Sequence, residues 1–242
     1  MWDRPQLVIW VANLLYALAT LALLYTVLFV AVHMPIFPFR QIDVTGDLNH
    51  VTRQQVEYIV RNELKGNFFT LDLNQARQAF EKLPWARSVN VRRRWPDRLE
   101  VTLEEHVALA RWGNVALVNT KGELFEAASD ANLPVFAGPN DSEKEIARRY
   151  AQFMQELQPT GLKPQQVILT PRLAWQLKLN NGLIVEIGRE HVEERLARFA
   201  SVYKQSLEPL GNRIQAVDLR YPNGFAVRVP GMTKPAELRQ AA

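Results

Sequence analysis

The sequence predicts an α+β chain: one transmembrane helix near the amino terminus, a β-α-α-β-β module, and a distal mixed α+β unit with an antiparallel sheet. Three observations carry that expectation. No Asp, Glu, Lys or Arg occurs between Arg4 and Arg40, and residues 7–32 hold 23 apolar residues out of 26. The next 70 residues or so alternate between period-two and period-3.6 apolar patterns. After Glu105 short apolar runs recur between turn residues, with only two further helical stripes. The apolar run corresponds to about 39 Å of helix at ~1.5 Å per residue, enough to cross a bilayer with some tilt. It is longer than the apolar region of a cleaved signal peptide, so an uncleaved anchor over 7–34 is expected, stopped by Pro35 and Pro38. Its polar residues Asn13, Thr20 and Thr26 are small enough to bond to helix carbonyls. Arg4 on one side is balanced by Arg40 and Arg53 on the other, so charge alone leaves the orientation open.

Arg40 to Gly46 alternates in period two and ends at glycine, the pattern of a half-buried strand. Thr52 and Gln55 form a capping box ahead of Val56, Ile59, Val60 and Leu64, and Gly66 closes that helix. Asp72 or Asn74 caps a second helix whose face is Leu73, Ala76, Phe80 and Leu83, stopped by Pro84. Trp85 to Arg94 and Arg98 to Glu105 read as a hairpin around Trp95-Pro96-Asp97. The module so defined covers 37–106.

The distal unit, 107–230, opens with short strands at Ala108–Trp112, Val115–Val118, Leu124–Phe125 and around Val135. A helix follows from about Ser142 to Leu157, with Ile146, Tyr150, Phe153 and Leu157 on one face. Strands are expected at Gln166–Thr170, Ala174–Leu179 and Leu183–Ile187, the last two joined by Asn180-Asn181-Gly182. A helix from His191 to Leu207 buries Val192, Leu196, Phe199, Ala200, Tyr203 and Leu207. Ile214–Arg220 and Phe225–Val229 form a last hairpin around Tyr221-Pro222-Asn223-Gly224, and 231–242 reads as a flexible tail.

The formal charge is +4, from 29 Lys and Arg against 25 Asp and Glu. That is too small and too evenly spread to indicate a nucleic-acid protein. The absence of cysteine removes disulfides, thiolate metal sites and cysteine nucleophiles. H-E-x-x-H, G-x-S-x-G, Walker, G-x-G-x-x-G and kinase patterns do not occur. No catalytic set, cofactor, metal or small-molecule substrate is therefore expected. Glu104-Glu105-His106 reads as a solvated strand end, since neighbouring strand residues face opposite ways. The run Arg92-Arg93-Arg94 with Arg98 is expected to pair across the hairpin with Glu100, Glu104 and Glu105, with Arg92 and Arg94 as a further contact for a partner. Trp85, Trp95, Trp112 and Trp175 are expected to serve core or turn packing.

The lone anchor, the strand Ile42-Asp43-Val44-Thr45-Gly46, and Leu83-Pro84-Trp85-Ala86 with Val89, Arg92, Arg93, Trp95-Pro96 and Leu99 together resemble a POTRA domain. It is similar to the variety found in the FtsQ/DivIB family of bacterial cell-division proteins. The resemblance covers nearly the whole chain and implies a non-enzymatic inner-membrane divisome component located at the septum. It implies a cytoplasmic tail at 1–6 and periplasmic carboxy-terminal domains. It also implies FtsB as a partner, FtsL through it, and FtsK, FtsW and FtsI as further division partners. The segment that receives FtsB in this family corresponds here to Tyr221, Asn223, Gly224, Phe225, Val227 and Val229, with Val229 where members often have tryptophan. Beside the resemblance stands a physical reason: a strand this near the chain end has no later element to pair with and is open to strand addition. The alternatives are a POTRA-containing envelope assembly or secretion component, and an anchored envelope enzyme using carboxylates such as Asp218 and Glu186.

Overall fold

The computed structural model describes residues 5–34, 38–221 and 224–229. The expectations for 1–4, Pro35, Pro222, Asn223 and 231–242 lie outside the described residues. Helix α1, Pro5–His33, is apolar on all sides, and Val8–His33 is long and apolar enough to cross a membrane. Three of its polar side chains, Thr20, Thr26 and His33, turn back on the backbone. Thr20 Oγ1 donates to Tyr16 O at 2.6 Å and Thr26 Oγ1 to Ala22 O at 2.8 Å, while His33 Nδ1 lies 2.8 Å from Phe29 O. Each hydroxyl is thus satisfied within the helix, which a hydrocarbon surrounding demands.

The chain divides into two compact units, the first, which includes α1, ending at Glu105 and the second beginning at His106. In the first, β1 (Gln41–Thr45), α2 (Arg53–Asn62), α3 (Leu73–Glu81), β2 (Ala86–Arg94) and β3 (Arg98–Glu105) follow in the expected order. The sheet order is β1-β3-β2. Strand β1 runs parallel to β3 from Gln41↔Arg98 to Thr45↔Thr102, and β2 is antiparallel to β3. The helix starts are fixed locally: Thr52 and Gln55 close a reciprocal capping box on α2. Asp72, rather than Asn74, caps α3, accepting the Asn74 and Gln75 amides at 2.8 and 3.2 Å. Ile59, Ala76, Phe80 and Leu83 are buried, as are Val89, Leu99, Val101 and Leu103 of the sheet. Glycine is required at position 46, because a Cβ there would stand 2.0 Å from Leu103 O.

Glu105 departs from expectation. It is not solvated but buried, with 9% of its surface exposed, and its carboxylate gathers the turn before α2. Val51 N–H donates to it at 2.7 Å, His50 N–H at 3.0 Å and Asn49 N–H at 3.1 Å. The His50 ring lies 3.0 Å away through Nδ1 and stacks on Trp85 with centroids 3.6 Å apart. Burial alone would raise the Glu105 pKa, but the donated hydrogen bonds outweigh it and hold the group below the usual carboxylate range. Trp95 departs too: the turn is formed, but the ring is 81% exposed and packs no core.

The second unit is a nine-stranded mixed sheet of order β12-β11-β10-β9-β8-β7-β4-β5-β6. Its strands are β4 (Ala108–Trp112), β5 (Ala116–Asn119), β6 (Leu124–Phe125), β7 (Val135–Ala137), β8 (Pro164–Leu169), β9 (Trp175–Leu179), β10 (Ile184–Gly188), β11 (Ala216–Asp218) and β12 (Ala226–Arg228). Most neighbours are antiparallel, but β4–β7, β7–β8 and β10–β11 are parallel. Helices α4 (Glu143–Leu157) and α5 (Val192–Val202) pack on each other and on this sheet. Phe136, Phe153, Leu177, Ile187, Leu196 and Phe199 lie at the centre of the core, at most 1% exposed. The last helix is shorter than its apolar stripe. Past Val202 it widens into a π turn over Tyr203–Leu207 and a 3₁₀ segment over Glu208–Arg213. Tyr203 and Leu207 stay buried there, and the Tyr203 hydroxyl receives Asn181 Nδ2 at 3.1 Å, locking the β9–β10 turn.

Two outcomes follow for the first unit. Glu105→Ala is expected to lower its unfolding free energy by about 2 kcal/mol, since buried amides lose their acceptor, whereas exposed Glu104→Ala changes it by less than about 0.5 kcal/mol. Guanidinium titration of the full chain in detergent measures both. Because the folded pKa of Glu105 is depressed, its stabilisation is complete above the unfolded carboxylate range and is lost as pH falls through the folded value. The denaturation midpoint of this unit should therefore decline on acidification below about pH 4, less so in Glu105→Gln.

Candidate interaction site

Strand β11 follows the 3₁₀ segment and enters the sheet parallel to β10, with Ile184↔Ala216 and Glu186↔Asp218 opposed. Ile184 N–H donates to Gln215 O at 3.1 Å and Leu219 N–H to Glu186 O at 2.8 Å. The Gln215 carbonyl and the Leu219 amide thus face β10, the Gln215 amide donates to Arg228 O on the other side at 2.9 Å, and by strand alternation the groups of Ala216 and Asp218 face that other side too. Strand β12 pairs there antiparallel, with Ala216↔Arg228, Val217↔Val227 and Asp218↔Ala226. By the same alternation the N–H and C=O of Val227 point away from β11. Among the described residues β12 is the terminal strand of the sheet, so they point off its edge.

The side chains divide the expected residues. Tyr221 is 55% exposed and Val227 36%, and Ala226 and Arg228 are exposed as well. Phe225 packs against the distal core, while Gly224 and Val229 are half-buried. Asn223 lies outside the described residues. Tyr221 and Val227 thus supply apolar surface around a backbone edge that no other described strand pairs, and Phe225 ties that edge to the core.

Arginines hold the base of the edge. Arg195 Nη1 donates to Ile187 O at 2.8 Å and Arg198 Nη2 to Tyr221 O at 3.4 Å. Arg220 reaches Asp218 with Nε to Oδ1 at 2.9 Å and Nη2 to Oδ2 at 2.6 Å, and Glu186 at 3.2 Å. The hydrogen bond from Arg220 holds Asp218 below its ordinary pKa, and the same bond raises Arg220. Asp218 and Glu186 thus flank one guanidinium. Gly188, at φ +87°, lets Arg195 and Arg220 approach, because a Cβ would come within 2.9 Å of Arg195 Nη1. Of these arginines the sequence points to Arg220, within Leu219-Arg220-Tyr221, but not to Arg195 and Arg198. Their one signal was the i, i+3 spacing of Arg195 and Arg198 beside the apolar stripe of α5.

In the first unit the basic hairpin pairs only in part as expected: Arg92 and Arg94 share Glu100, whereas Arg93 turns to the Phe69 and Leu71 carbonyls, Glu104 takes Arg87 from outside the run, and Glu105 is spent on backbone amides. Arg92 meets Glu100 at 2.7 Å, Arg87 meets Glu104 at 2.9 Å, and Arg94 lies 4.0 Å from Glu100. The Arg92 hydrogen bond keeps Glu100 ionised below its usual range. Glu104, Glu105 and His106 do not converge. Glu105 serves the Asn49–Val51 amides, and His106 Nδ1 lies 2.9 Å from Asn119 Nδ2. Among the described residues no group of three or more His, Cys, Asp or Glu side chains is placed to hold a metal ion.

Comparison with known proteins gives this geometry a context. Residues 37–106 match the family described as "POTRA domain, FtsQ-type" and residues 110–220 the family "Cell division protein FtsQ/DivIB, C-terminal". The chain is 45% identical over 233 residues to the cell division protein FtsQ of Nitrosospira multiformis, covering 94% of this chain and 99% of that protein. It is 43% identical to the FtsQ of Burkholderia pseudomallei, covering 96% of each. Against that of Neisseria gonorrhoeae it is 38% identical over 79% of each chain. With both modules matched in order and relatives alike over almost their full length, the chain belongs to the FtsQ/DivIB family of cell-division proteins.

Proposed function

We propose that this protein is a non-enzymatic connector of the divisome, anchored once in the inner membrane, that receives FtsB on the open edge of β12 and FtsL through it. Membership of the family gives the role in cell division, and helix α1 fits a single-pass membrane protein. The amino terminus lies in the cytoplasm and both folded units lie in the periplasm at the septum. FtsK, FtsW and FtsI are further partners in this reading.

One observation supports the connector reading most: the outward-facing amide and carbonyl of Val227 at the end of a nine-stranded sheet. An incoming strand pairs with such an edge through main-chain bonds, which give affinity. Neighbouring exposed side chains, here Tyr221 and Val227, give selectivity. A free edge is also an aggregation hazard unless it is short or charged. Strand β12 is three residues long and ends at exposed Arg228, so it is blunted against indiscriminate pairing while still open to a designated strand.

Val227→Pro removes the outward donor without touching the bonds to β11, and proline is tolerated where the amide faces solvent. FtsB binding is expected to weaken by about tenfold or more, equivalent to about 1.4 kcal/mol, with the circular-dichroism melt unchanged. Tyr221→Ala is expected to weaken binding without changing the melt, and Ala226→Pro to disturb the β11 ladder itself. Isothermal titration of the full chain in detergent with the periplasmic segment of FtsB measures this, and unchanged affinity in both Val227→Pro and Tyr221→Ala would contradict the reading. For topology, a carboxy-terminal alkaline phosphatase fusion should be active and a green fluorescent protein fusion dark. The reverse pattern would place the folded units in the cytoplasm.

A further inference from the structure

The end of the first unit that faces the anchor carries exposed residues that neither the core nor the β12 edge uses. Helix α1 ends with carbonyls that the helix itself cannot pair. Asn67 reaches them, with Nδ2 donating to Val32 O at 2.7 Å and Met34 O at 3.0 Å. The orientation of that amide is fixed, because Oδ1 accepts Phe69 N–H and Thr70 N–H, both at 3.0 Å. Asn67 is 6% exposed, so the clasp is a built contact. The loop around Asn67 is thereby tied to the end of the span.

The sheet brings a second segment to the same end. Strand β1 begins just after the anchor, and Gln41 lies opposite Arg98 in a parallel pair, so the Trp95-Pro96-Asp97 turn sits where the chain arrives from α1. Arg40 N–H donates to Asp97 O at 3.0 Å, and Arg93 Nη2 bonds to Leu71 O, closing the turn onto the Asn67 loop. Phe39 and Phe68 pack with centroids 5.8 Å apart, and Phe69 stands edge-on to Phe68 at 5.2 Å. What is left outward is aromatic and mainly basic, with the Asp97 carboxylate beside it, 3.6 Å from Arg40 Nε. Trp95 is 81% exposed and Phe69 48%, the Arg40 side chain is 81% and the Arg94 side chain 65% exposed, and Lys65 and Arg98 are exposed as well.

We propose that this end of the POTRA unit rests on the lipid surface, with Phe69 and Trp95 in the headgroup layer and Arg40, Lys65, Arg94 and Arg98 among the phosphates of anionic phospholipids. The inference rests on α1 crossing the bilayer. The 26 residues Val8–His33 make a helix of about 39 Å, longer than a hydrocarbon core of about 30 Å, so its ends reach the headgroups. A loop clasped to Val32 and Met34 is carried there with them. Tryptophan, which joins an apolar body to a polar N–H, concentrates at that depth, and basic side chains are drawn to anionic lipid. The contact makes the unit stand on the membrane rather than swing from it.

The chain contains no cysteine, so single cysteines at Phe69, Trp95, Asp47 and Leu21 can each carry a fluorophore without background. The labelled full chains are reconstituted in vesicles of phosphatidylethanolamine with one quarter phosphatidylglycerol, doped with a headgroup nitroxide lipid. Asp47 lies just past the far end of β1 and serves as the aqueous reference, and Leu21 reports the span. Labels at Phe69 and Trp95 should be quenched roughly threefold or more above Asp47, as expected of groups at the interface. Quenching there no greater than at Asp47, with the Leu21 label still shielded from aqueous iodide, overturns the proposal. An iodide-accessible Leu21 label would instead overturn the span. Asn67→Asp keeps the acceptors for Phe69 and Thr70 but loses the Nδ2 donor. In that variant the Phe69 signal should fall toward the Asp47 value, and an unchanged signal contradicts the clasp. Replacing phosphatidylglycerol with phosphatidylcholine should roughly halve quenching at Trp95, and equal quenching contradicts the contact with anionic phosphates.

Discussion

A backbone amide or carbonyl removed from water must find a partner, and the architecture of this protein follows from where that demand is met and where it is left open. In α1 it is met internally, down to the Thr20 and Thr26 hydroxyls that bond to carbonyls four residues back. At the end of α1 the helix runs out of donors and Asn67 supplies one. Before α2 three consecutive amides turn inward, and the Glu105 carboxylate receives them. At β12 the outward groups of the strand face away from the sheet, with no described strand beside them, and the proposed partner strand would complete the ladder there.

The same constraint explains the arginines beneath the edge. Leu219 makes the last described backbone bond to β10, and past it the carbonyls of Arg220 and Tyr221 face no described strand. Arg195 and Arg198 of α5 extend to them at 3.5 and 3.4 Å, and Arg220 is held in turn between Asp218 and Glu186. Three cations and two carboxylates therefore fix the path of the chain into β12. The edge is presented by the core through Phe225 and by α5 through these guanidinium groups. That suits a docking strand, since preorganisation lowers the cost of binding.

Local signals were legible in the sequence because their causes are local. The Thr52–Gln55 capping box, the Asp72 cap, the Asn181-Gly182 turn and the apolar stripes of α4 and α5 depend on residues within a few positions of each other. Pairings across long stretches were not legible. That β1 lies parallel to β3 depends on residues 57 apart, as in Gln41↔Arg98, and periodicity carries no information on which strand a strand will choose. Glu105 looked like a solvated strand end because its ligands are backbone amides, which have no side-chain signature. The apolar stripe of α5 ran on to Leu207 because a π turn keeps Tyr203 and Leu207 buried while ending the α-helical ladder. At the interaction site the terminal position of β12 was legible, whereas the outward direction of Val227 and the guanidinium supports beneath it required the register.

The central claim is the proposal that β12, whose outer side no described strand pairs, is completed by a partner strand. Residue-resolved amide hydrogen exchange of Val227 tests it most directly. In the protein alone this amide should exchange near the rate of an unstructured peptide while its inward-facing neighbours Ala226 and Arg228 are slowed, and addition of the periplasmic segment of FtsB should slow Val227 to match them. Protection of Val227 before the partner is added, or free exchange after it has bound, would contradict the account.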